Sequence, residues 1–283
     1  MIDLIFQKGY AMRFEKAEET ISFIRSKTNF DPEFGLILGT GLGDLSDDID
    51  PVQVFDYAEI PHFPISTVES HKGKLIFGYL AGRKVVAMAG RFHYYEGYAA
   101  AEVTFPVIVM KKLGVVRLFI SNAAGSVNPD IYAGDLVLIR DHINLTPDNP
   151  LRGLNDDRLG PRFPDMLKAY DREGNKKILQ IATSLEIKLH EGVYLGLQGP
   201  NMETPAEYKF ANIIGADVLG MSTVSEVIMA KYLELPLFVF SIATNRCYPL
   251  DEIGVSSVEE VIRMAQESGK QLSKLIKEIL PTL

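Results

Sequence analysis

The chain has 283 residues, with 29 Lys and Arg against 37 Asp and Glu for a formal charge of −8. This acidic balance, with no cluster of basic residues, excludes binding of nucleic acid by phosphate neutralisation, and a 47% hydrophobic share with 10% aromatics excludes a chain disordered throughout. Apolar runs such as 105–110 fall far short of the roughly 20 residues of a membrane span, and the single cysteine, Cys247, excludes an internal disulfide or a thiolate metal cluster and fits a reducing cytoplasm.

Residues 1–12 read as a short N-terminal extension, with Met12 as an alternative start and too brief an apolar segment for a signal peptide. Phe14, Ala17, Ile21 and Ile24 then form one apolar stripe, which predicts an amphipathic helix over 13–27. FGLILG (34–39) reads as a buried strand. Residues 74–90 read as two strands joined by a tight turn at Ala81-Gly82. A helix is predicted over 99–113, with Pro106 as its flaw. Five more apolar runs have strand length: 116–121, 135–140, 192–198, 216–221 and 237–243. Helical patterns fill 205–214 and 224–234. A last helix opens at Ser257, whose pairing with Glu260 makes a capping box. Strands alternating with helices imply an α/β layer fold. With no linker, composition break or repeat, residues 1–283 are read as one domain. The polar segment 146–166, rich in Pro, Gly and Asp, is long enough to be a functional or intersubunit loop.

Polar residues collect where strands end. G-T-G-L-G (39–43) follows a strand and can offer backbone N–H groups to an anion, or be a plain tight turn; it fits neither a dinucleotide fingerprint nor a P-loop. In R-F-H-Y-Y-E-G-Y (91–98), an extended chain puts Arg91, His93 and Tyr95 on one side, an anion-binding face or a polar strand edge. S-N-A-A-G-S (121–126) is a second exit into small residues, either a ligand approach or a loop. Glu203, in Q-G-P-N-M-E-T-P (198–205), could accept from ligand N–H groups, but by itself it is better explained as the cap of the helix near Pro205. G-M-S-T-V-S-E (220–226) and S-I-A-T-N-R (241–246) complete the set. Polar strand exits repeated in this way fit a ligand bound at the carboxyl ends of the strands. No pair among the other histidines, His62, His71, His142 and His190, has the short helical spacing of a zinc site, so no metal is expected. Cys247 reads as a small buried hydrophobe.

Taken in order, GTGLG, SHKGKL, GRFHYYEGY, SNAAGSVNP, AGDLVLIRDHINL, NPLRG, GADVLGMSTVSEV and TN, from about Phe34 to Leu275, resemble the trimeric, low-molecular-weight purine nucleoside phosphorylases. The resemblance implies one domain with a central mixed, partly barrel-like sheet flanked by helices. The reaction it implies is reversible phosphorolysis, preferring 6-oxopurine nucleosides such as inosine and guanosine. Inorganic phosphate would be a co-substrate, no cofactor would be needed, and the partners would be small molecules and two further copies of the chain in a cytoplasmic homotrimer.

By the same resemblance, phosphate would be held by Thr40, His71, Arg91, His93, the Ala123 N–H and Ser222. The pentose would lie against Tyr95 and Met221. Thr244 and Asn245 would address the base, Asn245 donating to N7, and Glu203 would accept from N1–H. The two histidines titrate near physiological pH if unperturbed. Three positions depart from the animal-type pattern. Met202 stands where an aromatic residue faces the base. Leu159 stands where a neighbouring subunit lends a phenylalanine. Val258 stands where a histidine meets the 5′-hydroxyl, which admits a 5′-methylthio substrate as the alternative. A hydrolytic nucleosidase and a non-catalytic nucleoside-binding module are the other readings, and the phosphate set argues against both.

Overall fold

The computed structural model describes residues 13–40, 42–68, 71–254 and 257–283, apart from the side chain of Val258. The proposed N-terminal extension and Gly41 of the glycine-rich segment lie outside the described residues.

Helix α1 (Arg13–Arg25) leads to the buried strand β1 (Phe34–Leu38), short α2 (Gly43–Asp47) and β2 (Asp50–Asp56). The hairpin β3 (Lys74–Leu80) and β4 (Arg83–Ala89) turns at Ala81-Gly82, both with positive φ, as a two-residue turn requires. The predicted helix over 99–113 is two, α3 (Ala100–Val103) and α4 (Phe105–Lys112). The break at Thr104 falls just before Pro106, so the missing N–H of Pro106 sits in a first turn, where it has no intrahelical duty.

Next come β5 (Arg117–Ser126), β6 (Leu136–Asn144), α5 (Arg172–Ser184), β7 (Leu189–Gly196), α6 (Pro205–Ile213), β8 (Val218–Gly220), α7 (Val224–Tyr232), β9 (Leu237–Arg246) and α8 (Val258–Ile279). Three of these elements carry surprises. β5 and β9 run through the small and polar residues that read as exits, so 121–126 and 244–246 belong to strands rather than loops. α5 was not predicted; its polar sequence buries little beyond Gly174, Asn175, Ile178 and Ala182, and the Asp171 side chain caps it by accepting from Gly174 N at 2.9 Å.

The nine strands form one mixed sheet. β5 pairs with β9 along nearly its whole length, while β8, β7 and β6 complete a closed ring of five strands: β5, β8, β7, β6, β9. β1, β4, β3 and β2 fan out from the first half of β5 as an open wing. The partly barrel-like α/β fold is therefore as expected. One core packs α1, α4 and α7 on one side of the sheet; a second packs α2, α5 and α8 on the other.

On the edge of β5 opposite β9, pairing with β1 ends at Ile120 and pairing with β8 begins at Gly125. Residues 121–124 therefore have no strand partner on that edge. Two neighbouring strands part there, and the divergence opens a cavity.

Candidate active site

One cavity gathers the ends of β1, β4, β5, β8 and β9. It is lined by Thr40, Arg91, His93, Ala123 and Ser222 at one end, by Met202, Glu203, Thr244 and Asn245 at the other, and by Tyr95 and Met221. Of the residues expected from the sequence, all these come together.

Arg91 is the largest fully buried side chain, 1% exposed. Its Nη1 donates to Ser222 Oγ at 2.9 Å and to Thr223 Oγ1 at 3.3 Å, and its Nε lies 3.4 Å from Glu226, itself buried. Nη2 is buried without a hydrogen-bond partner among the described residues. A guanidinium held by one carboxylate with a donor left over is a ready receptor for an oxyanion.

Ser222 and Thr223 sit in a tight turn between β8 and α7. The β-branched Thr223 has φ 76°, and Val224 N bonds back to Ser222 O at 2.8 Å. Such a backbone costs roughly 1–3 kcal/mol and persists only where neighbours fix it. Here Arg91 and Asn122, whose Nδ2 donates to Thr223 Oγ1 at 2.9 Å, hold its hydroxyl.

The Arg91–Tyr95 segment is not the extended strand that the sequence suggested: Tyr94–Glu96 is a 3₁₀ turn. The side chains nevertheless share one side, because the rings stack, His71 on His93 at 5.3 Å between centroids and His93 on Tyr95 at 4.6 Å. His93 Nδ1 meets Glu96 Oε1 at 2.9 Å, which leaves Nε2 as its free nitrogen. Burial works to raise the Glu96 carboxyl, but hydrogen bonds from His93 and from the side chain and backbone of Thr67 outweigh it and bring it down to about 2.

His71 departs from expectation. It stands one ring behind His93 and does not line the cavity; Nδ1 accepts from Arg91 N at 3.2 Å, and Nε2 is buried without a partner among the described residues. Burial, helped by the nearby His93 and Arg91, lowers it to about 4, so it is neutral at physiological pH. Gly90 makes room for it: φ is 107° there, and a Cβ would stand 2.5 Å from the His71 side chain.

At the other end, Thr204 rather than Glu203 caps α6, its hydroxyl accepting from Glu207 N. Glu203 is thus free to face the cavity, and burial raises its carboxyl above the usual range. Thr244 Oγ1 and Asn245 Oδ1 are 3.0 Å apart. Met202 is half exposed at the rim. Leu159 lies outside the cavity and packs, partly buried, against the core that holds α1, α4 and α7. The side chain of Val258 is outside the described residues, but Val261, one turn on in α8, lines the cavity.

Sequence reasoning missed Asn122, Tyr208 and Cys247 as cavity residues. Asn122 could have been found within the S-N-A-A-G-S segment already singled out, and Tyr208 by its place one turn into the helix after Glu203. Among the described residues, no group of three or more His, Cys, Asp or Glu is placed to hold a metal ion, and no helix is long and apolar enough to cross a membrane.

The sequence signature of the Phosphorylase superfamily matches residues 33–281. Purine nucleoside phosphorylase 1 of Bacillus subtilis is 44% identical over 266 residues, covering 94% of this chain and 98% of that protein. A purine nucleoside phosphorylase of Schistosoma mansoni, solved in complex with adenosine, is 39% identical with a TM-score of 0.90, covering 95% of this chain and 97% of that one. The Schistosoma structure in complex with hypoxanthine is 38% identical, with the same TM-score and coverage. The chain belongs to the phosphorylase superfamily and is an enzyme of its purine nucleoside phosphorylase group.

Proposed function

We propose that the chain catalyses reversible phosphorolysis of purine ribonucleosides and deoxyribonucleosides, preferring 6-oxopurine bases, to free base and pentose 1-phosphate. The observation that carries this reading is a single cavity with the unpaired Arg91 Nη2 at one end and Glu203 with Asn245 at the other.

Arg91, Ser222, Thr40, the free nitrogen of His93 and the Ala123 N–H cradle the phosphate. His71 backs the His93 ring and offers its neutral Nε2. Phosphate held beneath C1′ is both the nucleophile and a negative charge beside the forming sugar cation. Tyr95 and Met221 bracket the pentose, with Val258 at the first turn of α8 taking the 5′ end. Glu203 accepts from N1–H, and Asn245 donates to N7, where negative charge collects as the glycosidic bond breaks. Thr244 supports Asn245, and Met202 covers the base. An amide that donates to N7 while a carboxylate accepts from N1–H selects a 6-oxopurine, because a 6-aminopurine carries no proton on N1.

No metal or organic cofactor enters this scheme. The working unit is a cytoplasmic homotrimer, with Leu159 contributed to a neighbouring subunit's site.

Inosine, guanosine, adenosine and 5′-methylthioinosine are compared with and without phosphate. Strict phosphate dependence with inosine and guanosine ahead is expected. Base release at a comparable rate without phosphate would make the enzyme a hydrolase, adenosine in the lead would refute the base preference, and 5′-methylthioinosine in the lead would reassign the 5′ end.

A further inference from the structure

The turn after β8 keeps a threonine where glycine would fit without strain. Thr223 is buried, 2% exposed, with φ at 76°, a backbone that glycine adopts freely and a β-branched residue does not. Strain of that kind is characteristic of functional sites. What glycine would lack is the hydroxyl, and that hydroxyl stands behind Ser222, which lines the cavity while Thr223 does not.

The two hydroxyls can each accept twice and donate once, and with the Asn122 amide as it stands their hydrogen bonds have one consistent order. Thr223 Oγ1 accepts from Asn122 Nδ2 at 2.9 Å and from Arg91 Nη1 at 3.3 Å, which fills it as an acceptor. Its proton therefore goes to Ser222 Oγ, 3.0 Å away. Ser222 Oγ also accepts from Arg91 Nη1 at 2.9 Å, so it too is filled. The Ser222 proton is left for a ligand oxygen in the cavity. A turned Asn122 amide would reverse this order: its oxygen would take the Thr223 proton, Ser222 would donate to Thr223, and the cavity would meet a lone pair, which repels an anion.

We propose that Thr223 is a positioning residue: with Asn122 it sets the polarity of the Ser222 hydroxyl, so that Ser222 meets phosphate as a hydrogen-bond donor. The inference rests on the proposed role of Ser222 in holding phosphate. It adds the reason that a strained turn keeps its threonine.

The test is the KM for phosphate at saturating inosine and the KM for inosine at saturating phosphate. Thr223→Val, which keeps the shape and loses the hydroxyl, is expected to raise the KM for phosphate about fivefold and to leave that for inosine within about twofold. Thr223→Ser, which loses shape and keeps the hydroxyl, holds both within about twofold. Equal losses in the two variants would reduce Thr223 to packing, and a lower KM for phosphate in Thr223→Val would reveal the turned amide; either overturns the proposal. Should Thr223→Val fold poorly, Thr223→Gly removes the hydroxyl without strain and shows the same selective loss. In a Ser222→Ala background Thr223→Val should add no more than about twofold, and an undiminished effect there would assign Thr223 to Arg91 and overturn the proposal. Ser222→Ala by itself separates the two failures. If it raises the KM for phosphate while Thr223→Val does not, the positioning role falls and the phosphate reading stands. If it leaves that KM unchanged, both fall.

Discussion

The proposed phosphate end of the cavity draws on the interior of the sheet, whereas the proposed base end depends on the segment 202–208 and the last residues of β9. Arg91, Glu226, Asn122 and Thr223 are each no more than 2% exposed, while Met202 is 48% exposed. At the first end, charges removed from water are matched by other charges and by strained backbone. At the second, a few polar groups are aimed from a lip that is partly in solvent. Binding and stability are therefore entangled at the phosphate end and largely separate at the base end.

Arg91→Met should break this contrast most severely. Losing a buried donor to a reacting oxyanion costs about 100-fold to 1,000-fold in rate, and stranding the Glu226 carboxylate costs about 3–5 kcal/mol of stability. Phosphate-dependent kcat/KM and urea unfolding measure the two losses. Adding Glu226→Leu to Arg91→Met should recover much of the stability and none of the activity. Recovery of both would show that Arg91 serves the fold alone.

At the base end, Glu203→Ala and Asn245→Ala should each lower kcat/KM for inosine by about 100-fold, with stability within about 1 kcal/mol of the parent. Comparable unfolding losses at the two ends would erase the distinction.

A third test uses pH. Burial holds His71 at about 4 against an ordinary value of 6.5, so between these limits the unfolded chain binds the extra proton. Stability is full above pH 6.5 and is lost as pH falls toward 4. His71→Asn should flatten that part of the curve in thermal unfolding scans, and an unchanged slope would place the titration elsewhere.

The smallest effect is expected from Met202→Phe. A ring over the base is worth about 0.5–1.5 kcal/mol, which lowers the KM for inosine by a few-fold; no change would mean that Met202 lies too far out to cover the base.

The legible parts of the fold were those with a strong local signature. Ser257 and Glu260 fixed the start of α8, and the runs at 34–39 and 237–243 announced β1 and β9 because burial on both faces leaves few polar residues. β2 escaped notice because it is an edge strand with mostly exposed side chains and a proline, and α5 because its charged face dominates its composition. Among site residues, Arg91, His93 and Tyr95 were grouped correctly for an incomplete reason: the chain turns there, and ring stacking rather than strand alternation aligns them. Glu203 was misjudged when read by itself because Thr204, next to it, has the better geometry for capping. The setting of His71 depends on contacts about 20 residues away along the chain, and that of Cys247 on Gly125 and Ser126, about 120 positions earlier. Spacing within a motif carries no trace of either.

The shared strand β5 bears on how divisible this enzyme is. The first part of the chain carries Arg91 and His93, and the later part carries Glu203, Ser222 and Asn245; β5 is hydrogen-bonded to strands of both. Arg91 reaches across to Ser222 and Glu226 from 131 and 135 positions away. Neither part is a module that could be transplanted to bind half of the substrate. The site is whole only when the ring of strands is closed and the wing that carries Arg91 and His93 is paired to β5, so neither piece of the sheet holds it alone.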